Sequence, residues 1–219
     1  MGSEMCIRDR IKANAKVAIC EQVEDASEAK GVVRREVTRI VTPGTIIDEM
    51  RLDDKNNNYI SALFESQDGS LGLAMLDLST GACWIEEPKD MSMITTIMER
   101  YQPSECLVSE EQASLFKSVI QQPITTCEHW QFEYGNAEDR ILRHFKTPSI
   151  EGLGLAQSCV SLSALGALMS YVQSTLHRKL SHLQAVQFKQ SEDALFLDET
   201  TVTNLELVSP HYTQRSGQK

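Results

Sequence analysis

Apolar and polar positions alternate unevenly in the first patterned part of the chain. Residues 17–20 and 32–41 are runs rich in β-branched side chains, and Thr42-Pro43-Gly44 follows the second run. Proline lacks the donor that a strand ladder needs and glycine tolerates turn conformations, so this tripeptide predicts the end of a strand. The pattern predicts two strands joined by a loop, the second with one face only partly covered.

A longer series of extended segments follows an asparagine-rich connection at residues 50–58, which predicts a domain boundary near residues 44–55. Strands are predicted at residues 59–66, 71–78, 82–87, 105–109 and 124–129, and helices at residues 89–101 and 111–120. Short turns join the first three strands, which makes them antiparallel neighbours. These strands, followed by two helix-and-strand units, predict an α/β fold with a mixed sheet, in the order of a ribonuclease-H-like fold.

Two further helices are predicted after the sheet segments. The first covers residues 136–145, with Asn136 as its N-cap, and the second covers residues 155–177. A helix of that length runs about 30 Å, which is long for a small α/β domain. The second helix is therefore predicted to lead out of the domain. Short extended segments are predicted at residues 185–190 and 194–197, and Asp198 is predicted to cap a terminal helix through residue 207.

The composition describes a chain that can fold without cross-links or metal ions. With 219 residues, it can bury roughly 70% of the surface that the unfolded chain exposes. The six cysteines form no CxxC pair and no zinc-site spacing, which predicts reduced, mostly buried thiols in a cytoplasmic protein. No secretion signal or membrane-spanning apolar run is visible in the sequence, and residues 1–10 are interpreted as a non-native or disordered leader.

The most enzyme-like motif is Asp77-Leu78-Ser79-Thr80-Gly81, which places an aspartate at the end of a predicted strand. Two-metal cleavage of phosphodiesters needs three or four carboxylates that converge on cations about 4 Å apart. The other carboxylates considered for such a site are Glu105, Glu128, Glu138 and Asp139. A metal-dependent nuclease that uses Asp77 is therefore one hypothesis. The favoured alternative is that Asp77 hydrogen-bonds to the backbone of its own turn.

Other patterns that carry chemistry are missing from the sequence. The five histidines form no HxxxH or HExxH pair, and no GxxxxGK[ST] loop is present. The sequence therefore predicts no catalytic residue, no metal site and no cofactor in this chain.

One basic cluster stands out from an acidic whole. The chain has 31 acidic and 21 basic residues, a formal net charge of -10, so any contact with nucleic acid must be local. Four basic residues lie within ten positions: Lys30, Arg34, Arg35 and Arg39. They are either contacts for DNA phosphates or charges that protect a solvent-exposed edge strand from aggregation.

Several segments carry a family resemblance. VAICEQVEDASEAKGVVRREVTRIVTPGT, residues 17–45, strongly resembles the segment that closes the mismatch-binding domain of the MutS family of bacterial DNA mismatch repair proteins. LDLSTG, Pro103-Ser104-Glu105, Trp130-Gln131-Phe132-Glu133 and Gly152-Leu153-Gly154 resemble, in order, the connector domain of that family. LDETTVTNLEL, residues 197–207, resembles the opening of the family's core or lever domain.

The resemblance implies a domain order as well as a fold. Residues 11–45 would be the C-terminal part of an α+β mismatch-binding domain, residues 46–155 a ribonuclease-H-like connector, and residues 156–219 the helical, truncated start of the core domain. The chain would then be an internal piece of a longer protein, with the ATP-binding loop, the DNA clamp and the dimerisation helices beyond Lys219.

The resemblance also implies a function. Members of the family act as homodimers that bind mismatched double-stranded DNA, use ATP and Mg²⁺, and signal to a partner, MutL. The family's mismatch reader is a Phe-x-Glu pair, and no phenylalanine in this sequence has a glutamate two positions later. The resemblance thus implies a connector and docking module without catalysis, with Asp139 and Arg140 as candidates for contact with MutL. The charge cluster of Lys30, Arg34, Arg35 and Arg39 would add a salt-dependent contact with DNA.

Overall fold

Two strands near the N-terminus form a small sheet of their own. In the computed structural model, which describes residues 9–11, 13, 15–24, 32–45, 57–155, 159–176, 180 and 183–189, strand β1 (Val17–Gln22) pairs antiparallel with β2 (Arg35–Val41). These are the two strands that the β-branched runs predict. A 3-10 turn, Pro43–Thr45, ends β2 as the Pro-Gly sequence predicts, and its residues are buried.

The register of this small sheet slips by one residue. Ile19 lies opposite Arg39 whereas Cys20 lies opposite Val37, so Thr38 is an extra residue in β2. The Thr38 hydroxyl donates to the carbonyl of Ile19 at 3.2 Å. Such a bulge reverses the face to which the following side chains point, which is why the alternation of β2 is imperfect in the sequence.

A six-stranded mixed sheet forms the main body of the structure. Its strands, in chain order, are β3 (Tyr59–Glu65), β4 (Leu71–Asp77), β5 (Cys83–Glu86), β6 (Glu105–Ser109), β7 (Ile124–Cys127) and β8 (Gln187–Phe188). Their spatial order is β7-β6-β3-β4-β5-β8. Strands β3, β4 and β5 are antiparallel neighbours, and β6, β7 and β8 join parallel to β3, β6 and β5. The mixed α/β sheet is therefore confirmed, with β8 as a sixth strand.

Helices cover both faces of this sheet. They are α1 (Met91–Tyr101), α2 (Ala113–Lys117), α3 (Tyr134–Phe145) and α4 (Cys159–Leu176). Residues of α1 and α2 share one apolar core with one face of the sheet, and residues of α3 and α4 share a second core with the other face. Helix α2 is shorter than predicted at both ends: a 3-10 turn, Glu110–Gln112, replaces its start, and the helix ends at Lys117 instead of residue 120.

Helix α4 packs on the sheet instead of leading away from it. Its buried side chains face in all directions: Leu162, Ala164, Leu165, Ala167, Leu168, Met169 and Val172. A helix that is apolar all round is typical of a layer enclosed on both sides, here by the sheet and α3. Close approach depends on Gly72 of β4, where a β-carbon would lie 2.4 Å from the carbonyl carbon of Val160.

The start of α3 also differs from the sequence prediction. The helix begins at Tyr134 with Glu133 as its N-cap residue, so Asn136 lies inside the first turn. The Asn136 side-chain amide donates to the carbonyl of Trp130 at 3.1 Å and to the carboxylate of Glu133 at 2.9 Å. It therefore ties the helix to the preceding turn without capping it. The predicted terminal segments beyond residue 190 lie outside the described residues.

Candidate functional site

The aspartate of the enzyme-like motif is engaged with its own turn. Asp77 is fully buried at the end of β4, and its Oδ1 accepts hydrogen bonds from the Ser79 amide at 2.8 Å and the Ser79 hydroxyl at 2.7 Å. The Gly81 amide donates to the Asp77 carbonyl at 2.9 Å, and Gly81 has a φ of 73° that favours glycine. This geometry confirms the turn-forming alternative for Asp77.

The carboxylates proposed for a nuclease do not converge. Asp77 lies opposite Tyr59 in the ladder and Glu105 lies beside Ile60, and neighbouring residues of one strand point to opposite faces of the sheet. Asp77 and Glu105 therefore point to opposite faces. Glu128 is exposed after β7, and Glu138 and Asp139 lie on α3. Among the described residues no group of three or more metal-ligating side chains comes together, so the geometry gives the nuclease hypothesis no support.

Glu105 instead lies at the centre of a buried polar group. Its side chain is only 1% exposed, and its Oε1 accepts from the Thr125 hydroxyl at 2.5 Å and the Tyr171 hydroxyl at 2.7 Å. Its Oε2 accepts from the Thr42 hydroxyl at 2.5 Å and the Gly44 amide at 3.3 Å. A carboxylate has about four acceptor positions, so these donors satisfy it fully.

A lysine lies at the solvent side of this carboxylate. Lys16 Nζ is 3.8 Å from Glu105 Oε1, and the lysine side chain is 48% exposed. The same ammonium lies 5.4 Å from the centre of the Tyr171 ring. Burial, followed by the charge of Glu105, raises the pKa of Tyr171, so its hydroxyl remains a donor. We name these six residues the Glu105 cluster: Lys16, Thr42, Gly44, Glu105, Thr125 and Tyr171.

The basic residues of β2 do not form one continuous stripe. Arg35 lies opposite Gln22, and Arg39 lies opposite Ile19, so the bulge at Thr38 places the two arginines on opposite faces of the hairpin. The guanidinium of Arg34 donates through Nε to the Glu36 carboxylate at 2.9 Å and forms an ion pair with it. Lys30 lies outside the described residues.

The two residues considered for a partner contact have different surroundings. Asp139 is exposed on α3 and lies 3.7 Å from Arg143 of the next turn. Arg140 is half-buried, and its Nη1 donates to the Gly166 carbonyl of α4 at 2.9 Å. Burial, followed by the charge of Arg143, lowers the pKa of Arg140. Asp139 therefore faces solvent, whereas Arg140 ties α3 to α4.

An exposed aromatic pair lies at the start of α3: Trp130 in the preceding 3-10 turn and Tyr134 as the first residue of the helix. Trp130 is 47% exposed and Tyr134 is 39% exposed, while Phe132 between them is buried. The Trp130 indole donates to the carboxylate of Glu128. In the sequence, Trp130 is marked only by the family resemblance of residues 130–133, and Tyr134 by nothing, because no pattern distinguishes an exposed aromatic residue from a buried one in so short a segment.

The described cysteines of the two cores are buried thiols. Burial raises the pKa of Cys83 and of Cys106 to about 12 each, and that of Cys127 to about 11. Cys20 is exposed on β1. The described cysteines are free, and three of the four are buried, as the sequence predicts. In the described part of the chain, no helix is long and apolar enough to span a membrane.

These thiols should differ strongly in their rate of alkylation. In a short pulse of iodoacetamide at pH 8, Cys20 should be labelled, whereas Cys83, Cys106 and Cys127 should remain unlabelled until the chain unfolds, because only thiolates react and these thiols are inaccessible. Mass spectrometry of the peptides measures each cysteine separately. Labelling of Cys106 as fast as that of Cys20 in the folded chain would contradict the burial of that strand.

Comparison with known proteins matches most of the chain to one family. The family profile described as MutS domain II matches residues 58–184, and that of MutS domain I matches residues 1–50, so the second match includes residues 1–10. The first match contains all the strands of the mixed sheet except β8.

Curated relatives point to the same family. The DNA mismatch repair protein MutS of Protochlamydia amoebophila is 39% identical over 213 residues, which cover 94% of this chain and 25% of that protein. That of Alkaliphilus metalliredigens is 40% identical over 210 residues, covering 91% of this chain and 24% of the relative. The MutS protein of Cytophaga hutchinsonii is 34% identical over 201 residues, which cover 91% of this chain and 23% of that protein. The chain thus spans about a quarter of the length of these relatives.

Proposed function

The chain belongs to the MutS family, and from this premise we propose that it joins the end of a mismatch-binding domain to a connector domain, without catalysis of its own. In this proposal residues 11–45 close the first domain and the connector begins at residue 46. Its boundary with the core domain, expected at residue 155, is placed beyond β8, because α4 and β8 belong to the connector's core and sheet. The ATP and Mg²⁺ of the whole protein, and the contacts of its homodimer, would lie outside this stretch.

The observation that carries the proposal is the packing of residues 42–45 on the connector sheet. This segment is buried, and a β-carbon on Gly44 would lie 2.8 Å from the Cβ of Ile60 in β3. The Asn58 side-chain amide donates to the carbonyl of Pro43 at 3.1 Å. Together with the hydrogen bond of Thr42 to Glu105, these contacts support a direct connection through which a displacement of β2 reaches the mixed sheet.

Contact with DNA is part of the proposal and involves one face of the hairpin. Since Arg35 and Arg39 point to opposite faces, a duplex that lies on one face of the hairpin would meet only one of them. Arg34 forms an ion pair with Glu36, and this pairing makes its guanidinium a weaker contact for a DNA phosphate. Of the two arginines, Arg35 is the favoured contact for a DNA phosphate, because it is exposed whereas Arg39 is half-buried.

Fluorescence anisotropy with a labelled duplex that contains a mismatch tests the DNA contact. The variant Arg35→Gln should weaken binding and lower the slope of log affinity against log salt by about 1, because one phosphate contact is lost. Arg143→Gln removes an exposed arginine of α3 and is the matched control. Equal binding curves for the two variants would remove Arg35 from the DNA contact.

Docking of MutL on α3 is the second part of the proposal. It is supported by the exposed carboxylate of Asp139 and the exposed aromatic ring of Trp130, which offer charge and apolar surface to a partner. In a pull-down with purified MutL, Asp139→Lys should reduce capture. Glu99→Lys on α1 reverses an exposed charge on the opposite face of the sheet and should leave capture unchanged. A loss with both variants would count against this surface.

The absence of catalysis is tested with Mg²⁺ and branched or RNA–DNA hybrid duplexes. We expect no cleavage by the purified chain and no difference between the parent and Asp77→Asn. Cleavage that requires Mg²⁺ and disappears in Asp77→Asn would overturn the proposal in favour of a nuclease.

A further inference from the structure

We infer that the Glu105 cluster is a reversible latch that holds the end of β2 and the following turn against the connector sheet. This inference rests on the proposed coupling function and names the groups that would control it. The cluster combines donors from two parts of the chain. Thr42 and Gly44 belong to the segment that follows β2, whereas Thr125 and Tyr171 belong to β7 and α4.

The division of the donors makes the latch cooperative. Glu105 Oε2 takes both of its bonds from Thr42 and Gly44, and Oε1 takes both of its hydrogen bonds from Thr125 and Tyr171. If residues 42–45 lift away, Oε2 loses all of its protein donors at once. A buried carboxylate oxygen without donors is strongly unfavourable, so the released state must admit water to this oxygen. In an intermediate position of the turn, Oε2 would have neither its protein donors nor room for water, so such positions are unfavourable.

A carboxylate suits release better than an apolar contact would. Well-packed apolar side chains in place of a buried charged group often hold as firmly or more firmly, so firm attachment alone does not require Glu105. A carboxylate is well hydrated once exposed, and its hydrogen bonds fix one geometry when closed. The chemistry therefore favours two defined positions, one closed by four donors and one open to solvent.

Lys16 and Tyr171 connect the latch to its surroundings. Lys16 precedes β1, and its ammonium lies near both Glu105 Oε1 and the Tyr171 ring, so it approaches the carboxylate from the hairpin side. Tyr171 extends from α4, the helix that lies along the sheet and contacts α3. Release of the turn would remove the hairpin's contacts at one end of α4, which gives the connector a way to sense the position of β2.

Hydrogen exchange of the full 219-residue chain, followed by mass spectrometry, tests the latch. Thr42→Val removes one donor and should speed exchange in peptides from residues 35–45 roughly tenfold or more, while peptides from β3 and β4 remain as protected as before. Tyr171→Phe should act in the same direction. Glu105→Gln should act at least as strongly, because it removes the charge that all four donors share.

Matched variants separate the latch from general destabilisation. Thr42→Ser keeps the hydroxyl and should retain the parent's protection, and Thr126→Val replaces the exposed neighbour of Thr125 and should change nothing. Thr42→Val behaving like Thr126→Val, or equal gains in exchange across residues 35–45 and β3, would overturn the latch. In that case slow exchange of residues 35–45 in the parent chain would still support the coupling function. Rapid exchange of these residues in the parent chain would contradict both the latch and the coupling function.

Discussion

Replacing Gly166 with alanine should destabilise the chain by about 2–3 kcal/mol, although alanine normally stabilises a helix relative to glycine. Gly166 lies inside α4, where the helix crosses α3. A β-carbon there would lie 2.3 Å from the Cβ and 2.5 Å from the Cα of Ala137. Because one of these atoms is backbone, a side-chain rotation cannot relieve the overlap and α3 must shift as a whole. The shift would also strain the bond from Arg140 to the Gly166 carbonyl.

Gly135→Ala is the matched control, because it makes the same chemical change in a helix with open space. Gly135 is exposed in the first turn of α3, and no atom lies within 4 Å of a β-carbon placed there. This variant should be neutral or stabilising, by at most about 1 kcal/mol. Urea unfolding of both variants measures the two changes in free energy. A stabilising effect of Gly166→Ala would show that α3 and α4 do not pack as closely as the structure has them.

Local sequence signals account for the strands and turns that were predicted correctly. Strands β3 to β5 are short apolar runs joined by turn residues, so pattern and pairing are both determined within about thirty residues of chain. Strand β8 is different. Its two residues are too few to show a pattern of apolar and polar positions, and they pair with β5, which lies about a hundred positions earlier in the chain. The extended segment at residues 185–190 was predicted, but its place at the sheet edge depends on tertiary contacts alone.

The faces to which the side chains of β2 point also differ from those that the sequence predicts. The alternation of residues 32–41 predicts a strand, and it is a strand, but the extra residue at Thr38 reverses the faces beyond it. A basic cluster that is compact in sequence is thereby divided between two faces, with Arg35 on one and Arg39 on the other. A bulge has no reliable sequence signal, so the division could not be predicted from the spacing of charges.

The site residues divide in the same way. The role of Asp77 in its turn was predicted because its partner, Ser79, is two residues away. The role of Glu105 was not, since Thr42 and Tyr171 are 63 and 66 positions away from it. A threonine, a tyrosine and a glutamate at such separations form no motif. Only the fold brings them together, so a sequence search for metal ligands interprets Glu105 as a possible ligand rather than as a saturated acceptor.

Phe132→Ala should lower the free energy of unfolding by about 3–5 kcal/mol, the largest effect expected of the substitutions considered. Phe132 is fully buried in the core shared by the sheet, α3 and α4, and its ring stacks on Phe64 with the centroids 5.2 Å apart. Truncation leaves a cavity in the core between the sheet, α3 and α4. The hydrogen-bonded strands and the packed helices can close it only by moving as whole elements, so the cavity remains largely open.

Trp130→Ala, two residues earlier, is the matched control and should change stability far less, by about 0.5 kcal/mol, because Trp130 is 47% exposed and lies outside the core. Urea denaturation monitored by circular dichroism measures both variants without depending on tryptophan fluorescence. If Trp130→Ala proved as destabilising as Phe132→Ala, the assignment of one ring to the core and the other to the surface would be reversed. The proposed MutL surface would then lose its aromatic member, because an exposed ring beside α3 is what allows Trp130 to contact a partner without unfolding the connector.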